Sequence, residues 1–444
     1  MPESAQVVPN EDAPPPLGRS GRLGRLAVSL GDQALVSGTN FATGILIGRA
    51  CTEQQLGIYA MAFGVVLVLT EVHHALIATP QQVLYPRHRG EDRRQFNGST
   101  LLHSVTLAAA SAVVLGAIGL SLRGQPIGPV FFAAAVAIGL YLPRQYGRLF
   151  CYTARIPKAA LALDAIGSFA QLATLVGLIV MDRLTPVTAL LSIGLANGAA
   201  AIVWYLASRQ HFHAKPRLAL ADVRRTWPLS RWVFVSGLIW TLGMHTYPLL
   251  IGLLRSEREA GIWFACFAIG ALANPLLMGI QNIAGPAVAH AHADRADSDF
   301  RRFVIKASIG FAVAMVPFAV GAALFGEQFL RLYGGEFAGY GSVVSLLAVS
   351  TITHAIGFPS SRALLAINRA RHDLVGNVIA LAFLATFGLW LINRFGVAGA
   401  AISLVLSEAA GNGYRVIVFL ACNPVDDRAE VPQPDESPTG MAVA

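Results

Sequence analysis

The chain has 444 residues, of which 55% are hydrophobic and only 13% charged. A water-soluble protein carries roughly a quarter charged residues, so this composition excludes soluble domains with ordinary surfaces. The net charge of +8 does not mark a nucleic-acid binder, because the basic residues recur in alternate loops instead of gathering on one segment.

Residues 1–25 are polar and Pro-rich and read as a disordered cytoplasmic tail. Arg19, Arg22 and Arg25 lead into an apolar stretch without a small-residue cleavage pattern, so that stretch reads as a retained anchor. A membrane-spanning helix needs about 20 apolar residues. Six such spans follow one another: Leu26–Ile47, Leu56–Ala78, Leu101–Leu122, Ile127–Leu142, Ala159–Met181 and Thr185–Leu206. A basic stretch, 207–231, reads as a cytoplasmic inter-lobe loop. Six more spans come after it: Trp232–Leu254, Gly261–Ile283, Phe303–Leu324, Gly341–Phe358, Leu374–Ile392 and Val397–Leu420. Residues 421–444 read as a second disordered cytoplasmic tail. The fold class is all-α integral membrane, with about twelve transmembrane helices in two six-helix lobes, 26–206 and 232–420.

Charge tests the count independently. With the N-terminus inside, 26 of the 33 Lys and Arg fall on the inner side and 7 on the outer. One miscounted span would invert every later loop and destroy that asymmetry. The expectation is a multi-pass protein of a bacterial inner membrane with both termini cytoplasmic. Six spans per half let the halves repeat about an axis along the membrane normal. Ser37-Gly38, Arg49 and Gly57-Ile58-Tyr59-Ala60 recur in order as Ser236-Gly237, Arg255 and Gly261-Ile262-Trp263-Phe264.

There is no P-loop, dinucleotide fingerprint, HExxH or paired-Cys motif. No enzyme activity, catalytic residue, cofactor, metal or nucleic-acid partner is expected. Cys51, Cys151, Cys266 and Cys422 are far apart and read as packing residues. His73 and His74 are neighbours, so on a helix their rings point about 100° apart and read as one packed and one interfacial. Charge inside a bilayer costs about 2.5–3.5 kcal/mol on insertion scales, which singles out ionisable and polar groups within spans. Asp32 and Glu71 lie at similar depth on the first two spans and are candidates for ion coupling. Asn40, His245 and Asn274 lie near mid-span, with Pro275 interrupting the eighth helix, and are candidates for binding substrate. Asp164 and Glu408 read as buried groups bonded to a neighbouring helix. The outer Arg49, Arg255 and Arg258 suit either headgroup anchoring or a bidentate grip on phosphate.

Several stretches resemble the polysaccharide flippases of the multidrug/oligosaccharidyl-lipid/polysaccharide exporter superfamily. Asp32 to Phe41, then Gly48-Arg49 and Gly57-Ile58-Tyr59, is similar to that family's first helix and the start of its second. Asn274-Pro275 and Pro286 resemble its eighth helix, Leu332 to Phe337 its turn before the tenth, and Phe395 to Ala401 the start of its twelfth. The resemblance covers nearly all of 26–420. It implies two lobes around a central cavity and alternating-access transfer of a lipid-linked oligosaccharide for surface polysaccharide biosynthesis. Expected partners are that substrate, membrane lipids, H+ or Na+, and other polysaccharide-assembly membrane proteins. Asn40, Arg49, His245, Arg255 and Asn274 become the substrate-binding candidates. The cavity is expected to be poor in lysine and arginine. The same-fold alternative is a cation-coupled small-molecule exporter. The alternative from another class is a membrane-embedded glycan polymerase or ligase, which needs acid–base residues in a sizeable outer loop.

Overall fold

A computed structural model describes residues 19–422 apart from 295–296, 368 and 370. Most of the two expected tails lies outside the described residues. The first half contains α1 (Arg19–Ala50), α2 (Glu53–His73), α3 (Thr79–Leu84), α4 (Gly90–Ser121), α5 (Gly128–Thr153), α6 (Pro157–Val180) and α7 (Pro186–Ser208). A π-turn at His74–Ala78 joins α2 and α3 into the second span. The second half contains α8 (Pro216–His245), α9 (Tyr247–Leu254), α10 (Glu257–Gly270), α11 (Asn274–Asp294), α12 (Asp297–Arg331), α13 (Gly341–Ala366), α14 (Arg371–Phe383) and α15 (Leu389–Ala421).

Among the described residues, eight helical stretches are long and apolar enough to cross a membrane, or nine when α8 and α9, bent by 46°, count as one span. The α14–α15 rod folds back on itself at Gly396, whose φ of 58° favours glycine, so it supplies two crossings. α1 and α5 are diluted by polar residues such as Asp32, Gln33, Arg144 and Gln145, and complete a set of twelve spans. An even number places both described ends of the chain at one end of the molecule; the opposite end is called distal below.

Helix starts follow local chemistry. Thr52 and Thr185 form capping boxes with Gln55 and Thr188, and Ser256 caps the Glu259 amide. Pro157, Pro186 and Pro216 open their helices, where a missing amide proton costs nothing. In the first half, α4 packs on α5, α5 on α7 and α1 on α6; in the second, α12 packs on α13 and α13 and α14 on α15. The halves meet chiefly where α2 lies against α8, α9 and α10.

Three expectations are corrected. The inter-lobe stretch 207–231 is mostly helix, because Pro216 starts α8 there. The actual link is short and docked: the His213 amide donates to Arg94 O at 2.9 Å and Asn97 Nδ2 to His211 O at 3.2 Å. His213 Nδ1 also bonds the Glu91 carboxylate, which holds that carboxyl below its ordinary range. The fourth span does not end at Leu142 but runs on to Thr153, with Pro143 inside it. The tenth runs past Phe358 to Ala366, with Pro359 inside it. A buried helix tolerates proline where neighbouring helices satisfy the freed carbonyl.

His73 is buried with Nε2 2.9 Å from Ser104 Oγ, whereas the His74 side chain is 54% exposed. That is the split their adjacent spacing implies. All four cysteines are free and buried.

Candidate transport cavity

Both central helices of the second half break at the same level. α8 ends at His245 and α9 starts at Tyr247-Pro248, while a 3-10 turn at Ala271–Ala273 precedes Asn274. Irregular backbone inside a membrane protein is tolerated where it lines a cavity or is covered by protein, and a cavity is present here. Among the described residues it includes three chambers that share lining residues. The first, about 270 Å³, includes Ser37, Asn40, Tyr141, Gln171, His245 and Asn274. The middle one, about 350 Å³, shares His245 and Asn274 with the first. The third, about 290 Å³, shares Gln281, His354 and Glu408 with the middle one. Asn40, His245 and Asn274 are therefore brought together at the junction of the two halves.

Asp32 sits elsewhere, fully buried in an ion network inside the first lobe. Arg148 Nη2 donates to Asp32 Oδ2 at 2.8 Å, and the Tyr152 hydroxyl donates to the same oxygen at 2.5 Å. Arg148 Nε donates to Asp164 Oδ2 and Arg144 Nη2 to Asp164 Oδ1, both at 2.6 Å. Arg144, Arg148 and Tyr152 recur every four residues and so share one face of α5. The network is two carboxylates against two guanidiniums, which makes burial tolerable. Asp164 is thus bonded to a neighbouring helix, as its position suggested.

Glu71 has different neighbours from Asp32. It lies in the seam between α2 and α8, 3.8 Å from His74 Nδ1, and a Cβ on Gly237 would come 2.7 Å from its Oε1. Arg49 and Arg255 lie at the distal end, not in the chambers. Arg49 Nε donates to Leu332 O at 2.8 Å. Arg255 reaches Asn393 O and Glu259 Oε1, each at 3.2 Å. Both guanidiniums are engaged in tying loops together.

The expectation of an arginine-poor cavity is overturned. Arg144 borders the first chamber, and Arg362 and Arg415 line the third. Two of these reside in spans only because α5 and α13 continue beyond their prolines. Arg415 Nε donates to Asp373 Oδ1 at 2.9 Å, Nη2 to Asn377 Oδ1 at 2.5 Å and Nη1 to Asn412 Oδ1 at 2.7 Å. Arg362 is exposed to the chamber with its guanidinium 4.8 Å from the Phe358 ring centre. Glu408 faces His354 at 3.5 Å and accepts from Asn412 at 2.8 Å. The four-residue spacing of Glu408 and Asn412 was visible in the sequence; the partners on α13 and α14 were not.

The described helices form two six-span lobes around a polar, partly basic cavity. The chain carries the fold of the multidrug/oligosaccharidyl-lipid/polysaccharide exporter superfamily. Residues 158–342 match the family described as "Polysaccharide biosynthesis protein". Among solved structures, the chain is similar to an inward-facing multidrug-resistance MATE transporter of that superfamily, with a TM-score of 0.72, 15% identity and coverage of 92% of this chain and 99% of that one. It is similar to the lipid II flippase MurJ in an inward closed conformation, with a TM-score of 0.68, 11% identity and coverage of 91% and 89%. It is also similar to a superfamily transporter from Pyrococcus furiosus, with a TM-score of 0.61, 13% identity and coverage of 90% and 94%. An outward-facing MATE structure gives a TM-score of 0.63. No curated protein matches the sequence.

Proposed function

We propose that the chain flips a lipid-linked saccharide across the cytoplasmic membrane by alternating access, with its termini inside and its distal end outside. The observation that carries this reading is the row of chambers sharing lining residues, with Arg362 and Arg415 at one side and uncharged Asn40, Gln171 and Asn274 at the other. Guanidinium forks suit a phosphate. Amides supply the paired donors and acceptors that sugar hydroxyls need. The match to a polysaccharide-biosynthesis family supports the same substrate class. Asn40, His245 and Asn274 are the binding residues at the junction, and Arg49 and Arg255 act by holding the distal end. Transfer of a fluorescent lipid-linked oligosaccharide in proteoliposomes tests the reading. A protein that moves small cations down an opposing ion gradient but leaves the oligosaccharide in place would instead be an exporter of the MATE kind. A glycan polymerase or ligase has little to work with: the longest distal connection, 332–340, contains one acid, Glu336.

Orientation has its own test. Arg225 on α8 and Glu336 in the distal connection are both exposed. In intact cells, an impermeant thiol reagent is expected to label Glu336→Cys and spare Arg225→Cys until the membrane is opened. Labelling of Arg225→Cys from outside would invert the assignment.

Ion coupling rests on Glu71 more than on Asp32. A proton on Asp32 must displace a guanidinium from its carboxylate, whereas the ion-pair partner of Glu71 is a histidine. Glu71→Gln is expected to abolish gradient-driven transport at normal protein level. Transport that still follows an imposed proton or sodium gradient in this variant removes Glu71 from coupling.

A further inference from the structure

At the distal end two of the contacts between the lobes differ in kind. In one, α2 crosses α10 with no side chains between the backbones. A Cβ on Gly57 would lie 1.7 Å from Glu257 O, and one on Gly261 would lie 2.1 Å from Glu53 O. Flanking this crossing, Arg258 Nε donates to Glu53 Oε2 at 2.5 Å and Gln54 Nε2 to Glu257 Oε2 at 2.6 Å. In the other, the ring of Tyr333, after α12, fills a notch on α1 made by Gly44 and Gly48. A Cβ on these glycines would lie 2.8 Å from Tyr333 Oη and 2.7 Å from its Cδ1. Phe41 packs edge-on at 6.2 Å, and the Arg49 bond to Leu332 O pins the same turn to α1.

Tyr333 is completely buried, yet its hydroxyl has no hydrogen-bond partner among the described residues. A buried hydroxyl without a partner forfeits the bonds it would make with water. The ring favours the notch and the hydroxyl opposes it.

We propose that Tyr333 is a releasable plug of the distal gate, and that its unpartnered hydroxyl keeps the closed state from being too stable to reopen. The proposal rests on the alternating-access reading, in which the distal end must part. Withdrawal of Tyr333 from the Gly44–Gly48 notch then accompanies separation of Gly57 from Gly261. A phenylalanine at 333 keeps the ring and drops the penalty, so it biases the protein towards the state described here. An alanine at 333, or any side chain at 57, biases it the other way.

The test reads accessibility and requires no knowledge of the substrate. Ala271 lines both the first and the middle chamber. An Ala271→Cys reporter is placed in full-length protein with the four native cysteines replaced by alanine. Right-side-out and inside-out vesicles are treated with an impermeant maleimide. Tyr333→Phe is expected to lower labelling from the distal side several-fold and raise it from the other. Tyr333→Ala and Gly57→Ala are expected to do the reverse. Equal distal labelling of Tyr333→Phe and its parent overturns the plug, while a parent labelled from both sides still upholds alternating access. A parent and variants that are never labelled from the distal side overturn both. Gly57→Ala is the variant most exposed to misfolding, and the Tyr333→Phe comparison decides without it.

Discussion

Replacing Asp164 with leucine is expected to cost about 3–5 kcal/mol, because it leaves Arg144 and part of Arg148 as buried charges without their carboxylate. The side chains of Asp164 and Asp32 are fully buried, and that of Arg144 is 6% exposed, so water does little to compensate. The protein should be lost from the monodisperse peak in detergent, with the remaining material melting at a lower temperature. The informative control removes the whole network at once: Asp32→Leu, Arg144→Leu, Arg148→Met and Asp164→Leu together. Apolar replacement of a complete buried ion set is often neutral or stabilising, and residues in one network do not contribute additively. The quadruple variant is therefore expected to be more stable than Asp164→Leu alone. If the single variant melts like the parent, the four charges do not form a closed network in the membrane.

That network also shows where sequence reading stops. Each span was legible because hydropathy and alternating charge are local properties, and twelve spans follow from them without tertiary information. The ion network is not local. Arg144 and Arg148 stand just after Leu142-Pro143, where proline and two charges read as the end of a span. Only the packing of α5 against α6 and α1 shows that the helix continues and that Asp164 and Asp32 are waiting opposite. The regular spacing of Arg144, Arg148 and Tyr152 was available as a signal that these residues share a helix face. Arg362 was missed for the same reason, behind Pro359.

The repeat Gly57-Ile58-Tyr59 and Gly261-Ile262-Trp263 was visible and its use was not. In sequence it marks the symmetry of two halves. In the structure it is a backbone-to-backbone crossing between those halves, a contact that needs glycine on both sides at once. Asn40, His245 and Asn274 were singled out by a different argument: polar groups near mid-span must face protein or water. That argument gives burial or a cavity without choosing, so it grouped Asp32 with them although Asp32 belongs to the ion network.

Arg362→Gln is expected to reduce transport of a phosphate-bearing substrate about 10- to 100-fold, the span corresponding to the loss of a charge-assisted hydrogen bond in a cavity. Arg362 is the cleaner probe of the two cavity arginines in the second lobe. Arg415 holds Asp373, Asn377 and Asn412 in place, so changing it disturbs two helices, α14 and α15. The Arg362 side chain instead rests on Phe358 and is exposed to the chamber, which leaves folding nearly unaffected by its loss. Lysine at 362 keeps the charge and gives up the planar fork, so Arg362→Lys should fall between the parent and Arg362→Gln. A substrate analogue without phosphate should be insensitive to all three side chains. Transport of the phosphate-bearing lipid at the parental rate by Arg362→Gln, at matched protein level, would place the headgroup away from the third chamber and return attention to Arg144 in the first.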